Sequence, residues 1–191
     1  PDARDFDDAI SISFDADKEE WTLAVHIADV AAFVPRGGAL DIEARARGNS
    51  AYLPRRVIPM LPETLSNGVC SLQEGVARFT KTAWMTFDKN GRVLYERYAS
   101  TVIRSRKRMT YLEAQGVIDG DMAAARKNAK TETPVDETLI DELRMSAKLA
   151  QILRARRLKD GMIVLSLPES ELVYGDDGRV KDVEPEDDAF T

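Results

Sequence analysis

Four carboxylates fall within seven residues at the start of this chain, Asp2, Asp5, Asp7 and Asp8, directly before an apolar run. Like charges a few ångströms apart repel and raise one another's pKa, so a folded chain tolerates such crowding best where a cation neutralises it. The rest of the composition narrows the choice of cation. A single Cys70 and a single His26 rule out a multi-cysteine or multi-histidine metal site, an internal disulfide and a two-cysteine redox pair. What remains is oxygen, and hard oxygen donors suit Mg²⁺, with Mn²⁺ as the alternative. The chemistry natural to that set is phosphoryl transfer or phosphodiester hydrolysis. Other readings of the same acids stand beside it. They can form a solvated acidic turn, or a Ca²⁺ loop, although the glycine and the final glutamate of such a loop are missing. The metal site of a nucleotidyl or glycosyl transferase is formally present in Asp5-Phe6-Asp7, but no nucleotide-binding βαβ unit accompanies it.

The elements that must position these acids follow from periodicity. Ala9 to Phe14 and Trp21 to Ile27 alternate apolar and polar residues around Asp17-Lys18-Glu19-Glu20, which predicts a β-hairpin. The period of two places Trp21, Leu23, Val25 and Ile27 on one face and Thr22, Ala24 and His26 on the other. Residues 38–47 read as a short helix stopped by Gly48, and a Pro-rich loop is expected from Tyr52 to Cys70. A second hairpin is expected from Phe79 to Phe87 and Val93 to Ile103, turning at Asp88-Lys89-Asn90-Gly91. Thr110 is a candidate cap for a helix starting at Tyr111, with Glu113 at the reciprocal capping position. Residues 119–134 read as a loop or an exposed helix. Leu139, Leu143, Ala147, Ala150 and Leu153 mark a long amphipathic helix over 136–159, and strands at 163–167 and 171–174 close the chain around a turn at 175–178. Hairpins grouped apart from helices predict one α+β domain.

At 191 residues, 43% apolar and 31% charged, the chain can bury a core. It has no run of about 18 uncharged apolar residues and no basic-then-apolar leader, which predicts a cytoplasmic protein with no membrane span. The net charge of −6 disguises its distribution. Residues 176–188 hold seven acids against two bases, leaving only −1 on the remainder. Two basic clusters stand out, one of Arg104, Arg106, Lys107 and Arg108 and one of Arg154, Arg156, Arg157 and Lys159. Local charge of this kind can follow a phosphate backbone, although the second cluster also suits a helix C-terminus.

The ordered words of the sequence are more specific. Asp2-Ala3-Arg4-Asp5-Phe6-Asp7-Asp8-Ala9 is followed by His26-Ile27-Ala28-Asp29-Val30, then Arg47-Gly48-Asn49-Ser50-Ala51-Tyr52-Leu53-Pro54. Val57-Ile58-Pro59-Met60-Leu61-Pro62-Glu63, Leu65-Ser66-Asn67-Gly68, Cys70-Ser71-Leu72, Val102-Ile103-Arg104-Ser105 and Thr110-Tyr111 continue the series. Together they resemble the catalytic domain of the ribonuclease II/ribonuclease R family, nearest to its bacterial ribonuclease R branch. The resemblance implies a metal-dependent exoribonuclease that removes nucleoside 5′-monophosphates from the 3′ end of single-stranded RNA, acting as a monomer. Residues 1–191 would then be the N-terminal part of one such domain, with the rest of it and the flanking RNA-binding β-barrels lying elsewhere in a longer protein.

The same resemblance suggests individual roles. The family's metal site uses four aspartates, of which Asp5, Asp7 and Asp8 match the last three, while the first would precede Pro1. Asp8 would be a direct metal ligand, Asp7 the residue whose loss most harms hydrolysis, and Asp5 a supporting carboxylate. Tyr52 would stack on the terminal base, and Tyr111 would lie near the RNA. Leu165 stands where family members can carry a base-clamping aromatic, so a two-sided π clamp is not expected here. Arg104 and Arg108 are candidates for the RNA path. His26, otherwise an ordinary hydrogen-bonded structural histidine, and Asp29 are candidates for orienting the metal-site acids from behind.

Overall fold

The computed structural model describes residues 5–53, 56–165, 170–175 and 177–185. Alternating side chains build its main sheet, four antiparallel strands in the order β1-β2-β5-β6. β1 (Asp8–Asp15) and β2 (Glu20–Ala28) form the first hairpin, in register from Asp8 opposite Ile27 to Asp15 opposite Glu20. β5 (Ala77–Phe87) and β6 (Val93–Arg104) form the second, and β5 pairs with β2 so that the two hairpins join through their inner strands. The turn between β5 and β6 needs Gly91, whose φ of +75° suits glycine and where a Cβ would crowd the Ile152 and Leu153 side chains at 3.1 Å.

Which sheet face is buried follows from the pattern. Ile12, Trp21 and Phe87 share a face and pack with Leu149 of α4 (Glu137–Lys159), backed by Leu23, Met85, Met145, Ile152 and Leu153. Asp136 caps this helix by accepting the Leu139 N–H at 2.9 Å. The expected stripe on α4 is shifted: Leu149 is its buried residue and Ala150 is exposed. Helical spacing marked several apolar rows, and contact with the Trp21 end of the sheet selects the one through Met145, Leu149 and Ile152.

The segment between the hairpins carries α1 (Ala39–Arg47), ended by Gly48 at φ +78°. The expected loop from Tyr52 to Cys70 is in fact partly ordered. It holds the two-stranded ladder of β3 (Ala51–Leu53) and β4 (Arg56–Ile58), then a π-helical turn at Thr64–Val69. Cys70 and Leu72 just beyond it are buried with Ala28, against Phe6, Phe33 and Leu65.

After β6, the Thr110 hydroxyl accepts the Glu113 N–H at 3.0 Å and starts α2 (Tyr111–Asp119). The reciprocal half of the expected capping box is not made. The Glu113 carboxylate instead pairs with Lys107 at 3.1 Å, both side chains being almost wholly buried. Residues read as loop or exposed helix contain α3 (Met122–Asn128), capped by Asp121 and packed on α2 where Gly116 lets the Ala125 backbone approach. From Arg154 onward the chain forms a separate unit. There, residues 163–165 are not a strand, positions 166 and 167 lie outside the described residues, and β7 (Ser170–Tyr174) pairs with β8 (Val180–Pro185).

Candidate functional site

Asp5 and Asp7 sit at the mouth of the β1–β2 hairpin on a segment whose backbone is strapped by three hydrogen bonds. The Phe6 N–H donates to Ser71 Oγ at 3.1 Å, the Leu72 N–H to the Phe6 carbonyl at 2.8 Å, and the Ala28 N–H to the Asp7 carbonyl at 2.8 Å. Alternate residues of an extended segment point the same way. Phe6 therefore turns toward Cys70 and Leu72, while Asp5 and Asp7 both line an adjoining cleft of about 550 Å³.

The cleft walls come from several elements. Ile27, Ala28 and Val30 supply the end of β2, Ser50, Tyr52 and Val57 the β3–β4 ladder, and Glu63, Leu65, Ser66 and Asn67 the π-helical turn. Partial burial, reinforced by the neighbouring charges of Asp5 and Asp8, pushes the Asp7 carboxyl above its ordinary pKa. Asp8 begins β1 and does not line the cleft. Among the described residues no three His, Cys, Asp or Glu side chains converge closely enough to hold a metal by themselves.

Tyr52, opposite Val57 in the ladder, is 73% exposed and presents its ring at the cleft. The other residues singled out from sequence lie around this site or away from it. His26 does not line the cleft: its Nδ1 is 2.9 Å from Thr82 Oγ1 and its Nε2 3.2 Å from Ser11 Oγ, so its direct partners are hydroxyls. Burial lowers its pKa. Asp29 is buried at the end of β2, where its carboxylate meets Lys81 Nζ at 2.9 Å and its N–H donates to the Phe79 carbonyl. It braces the strand end that forms the cleft wall, without touching Asp5 or Asp7 through any of these bonds.

The first basic cluster splits by environment. Lys107 is buried against Glu113 and the loop at Thr131 and Thr133, and Arg106 pairs with Asp136. Arg104 stays exposed at the end of β6. Arg108 lays its guanidinium 4.6 Å from the Phe6 ring centroid and lines a second cleft, of about 630 Å³, that shares Glu63 and Asn67 with the first. Tyr111 is 77% exposed at the start of α2. Leu165, 75% exposed, belongs to the unit from Arg154 onward.

Glu63, Ser66 and Asn67 were not singled out from the sequence as site residues, although they fall inside the words quoted above. The signal that could have found them is the dense run of polar side chains after Pro62, just before a buried Cys-Ser-Leu.

An acidic pair beside an exposed aromatic, over a cleft open to solvent, combines oxygen donors for a cation with a ring face free to stack. The chain belongs to the RNB domain family, whose model matches residues 1–190. Ribonuclease R of Thermotoga maritima is 41% identical over 186 residues, covering 96% of this chain and 25% of that protein. Two solved structures superpose closely. Mycoplasma genitalium RNase R in complex with double-stranded RNA gives a TM-score of 0.84 at 32% identity, over 97% of this chain and 31% of that one. The same enzyme with ribose-methylated single-stranded RNA gives 0.83 at 33%, over 96% and 27%. The chain thus spans about a quarter of the length of the curated relatives it matches. Among the described residues no helix is long and apolar enough to cross a membrane.

Proposed function

We propose that the protein carrying this chain is a cytoplasmic, divalent-metal-dependent exoribonuclease that hydrolyses single-stranded RNA from its 3′ end and releases nucleoside 5′-monophosphates. Residues 1–191 would be the N-terminal part of its catalytic domain. The observation that carries the reading is the convergence of Asp5, Asp7 and Tyr52 on one cleft in a chain of the RNB family.

The donors fit the expected metal. Asp5 and Asp7 offer hard oxygen to one cleft, and Asp7 sits where burial and like charge disfavour its bare anion. Mg²⁺, or Mn²⁺ in its place, commonly takes a few carboxylates and completes its shell with water and substrate phosphate, so an incomplete protein cage suits it. When bound there, such an ion supplies Lewis acidity and positive charge opposite the scissile phosphate. Asp5 and Asp7 would hold it, with Asp8 completing the set by resemblance.

The other roles belong to the chain's own side chains. Tyr52 stacks on the terminal base, which suits an enzyme indifferent to sequence because every base has a π face. Arg108 and Arg104 follow the backbone phosphates, and Tyr111 lies along the same path. By resemblance, Leu165 would be the residue that meets the terminal base. Asp29 and His26 act from behind, through the strands they brace. The enzyme works as a monomer.

The test uses the whole protein with RNA labelled at either end. Label at the 3′ end should leave at once as mononucleotide, whereas label at the 5′ end should persist to a short limit product, and EDTA should stop both. Internal fragments from the outset, or turnover untouched by EDTA, would refute the reading.

A further inference from the structure

The function proposed above names the groups that touch metal and RNA, but not what fixes the angle between the two acids. Among the described residues no side chain donates a hydrogen bond to Asp5 or Asp7; their direction is set through Phe6. Its N–H ends on Ser71 Oγ and its carbonyl on the Leu72 N–H, so the placement of Ser71-Leu72 dictates that of the Asp5-Phe6-Asp7 segment.

The Ser71 loop is in turn gripped by one side chain. Arg78, on β5, donates from Nε to the Ser71 carbonyl at 2.9 Å and from Nη2 to the Gly68 carbonyl and Gln73 Oε1, each at 3.2 Å. Its Nη1 reaches the Ala77 carbonyl at 3.2 Å. A planar guanidinium has a fixed fork of donors, so the three loop acceptors it meets are locked relative to one another and to the sheet. Ser71 is wholly buried between that fork and Phe6.

We propose that Arg78 is a positioning residue for the metal-holding pair, acting through Ser71 and the Phe6 backbone. The proposal rests on the reading of Asp5 and Asp7 as metal-holding groups. Removing the Ser71 hydroxyl leaves a partly buried N–H without its acceptor and loosens one of the three straps on the segment, and removing the fork loosens the loop that carries Ser71. The carboxylates stay in place chemically, and their mutual geometry relaxes. Metal affinity is therefore what changes, more than RNA affinity, because the phosphate and base contacts lie on other residues.

The experiment compares Ser71→Ala, Arg78→Met, Arg78→Lys and Asp7→Asn in the whole protein. Mn²⁺ binding without RNA is read by electron paramagnetic resonance, the Mg²⁺ midpoint of hydrolysis is read at saturating RNA, and RNA affinity is read in EDTA. Ser71→Ala and Arg78→Met should weaken Mn²⁺ binding about 10-fold or more and raise the Mg²⁺ midpoint in parallel, as loss of outer support does at other metal sites. RNA affinity in EDTA should stay as in the wild type. Arg78→Lys keeps the charge but not the fork, and should fall between; it is the variant to read if circular dichroism shows that Ser71→Ala has lost its fold. Unchanged Mn²⁺ affinity in folded Ser71→Ala or Arg78→Lys, with Asp7→Asn weakened, would overturn the positioning role alone. Unchanged Mn²⁺ affinity in Asp7→Asn would overturn the metal-holding reading on which it rests.

Discussion

Tyr52 offers the clearest separation of function from stability, because the structure removes the usual confounder. Its ring is 73% exposed on the small β3–β4 ladder, opposite Val57, and the residue is not itself part of the buried clusters around Trp21 or Cys70. Replacing an exposed side chain of this kind changes folding free energy by less than about 0.5 kcal/mol. If the ring stacks on the terminal base, Tyr52→Ala forfeits about 1–3 kcal/mol of binding, which is roughly a 5- to 150-fold weaker grip on the 3′ end. Long RNA masks such a loss, since phosphate contacts further along the path hold it. Short RNA does not. The assay is the length distribution of limit products from 5′-labelled single-stranded RNA, with the affinity for a short oligonucleotide measured alongside. Tyr52→Ala should release longer end products and bind the oligonucleotide more weakly, and Tyr52→Phe, which keeps the π face, should match the wild type. Unchanged products and affinity in Tyr52→Ala would make the tyrosine an ornament of the ladder and end its role in base recognition.

Other expectations are as direct. Asp7→Asn in the whole protein should abolish hydrolysis while RNA binding in EDTA persists or tightens, since a charge facing phosphate is removed; filter binding and a turnover assay on one preparation check both. Residues 1–191 alone should show little or no nuclease activity on 3′-labelled RNA. Leu149→Ala empties a site that is 2% exposed between Ile12, Trp21 and Phe87, and should cost about 2–5 kcal/mol, seen as lost hydrogen-exchange protection in β2 and β5. Burial holds His26 below its ordinary pKa of 6.5, so the unfolded chain binds the extra proton first. Stability from this group is present above that value and drains as pH falls from it toward the folded pKa, a slope that thermal melts should show in the wild type and not in His26→Gln.

The sequence exposes what is local and hides what is long-range. Period-two alternation announced both hairpins to within a few residues, and Thr110 showed as a cap because its partner lies three residues away. The acids were visible for the same reason, being crowded in one segment. Glu113 also looked local, as the second half of a capping box, but Lys107 and the surrounding burial claim its carboxylate. The β3–β4 ladder escaped notice because three-residue strands among prolines leave no periodicity to read. Ser71 and Arg78 were invisible as site residues, since the bond from Phe6 to Ser71 spans 65 positions and nothing in either neighbourhood signals the other. The basic cluster shows the limit in charge reading: Lys107 is spent inside the fold, leaving Arg104 and Arg108 to face outward or toward Phe6.

The register of the main sheet explains why the only histidine sits where it does. The acids must enter β1 so that Asp5 and Asp7 face the cleft, and a slip of one residue between β1 and β2 would carry every side chain of β1 to the opposite face. Apolar burial fixes register at the Trp21 end, where Ile12 and Phe87 pack on α4, but that core is remote from the acidic end. Nearer the site, on the opposite face, Ala9 and Ala28 pack with Cys70 and Leu72, and between the two cores that face is small and polar at Ser11, His26 and Thr82. There His26 locks the register by hydrogen bonding, reaching Ser11 on β1 and Thr82 on β5 from its own place on β2. A serine or threonine in its place could not span both neighbours, and a lysine or arginine could not accept from a hydroxyl. The imidazole thus ties β1 and β5 to β2, while Asp29 and Lys81 brace the same end of β2 and the Ala28 N–H bonds the Asp7 carbonyl.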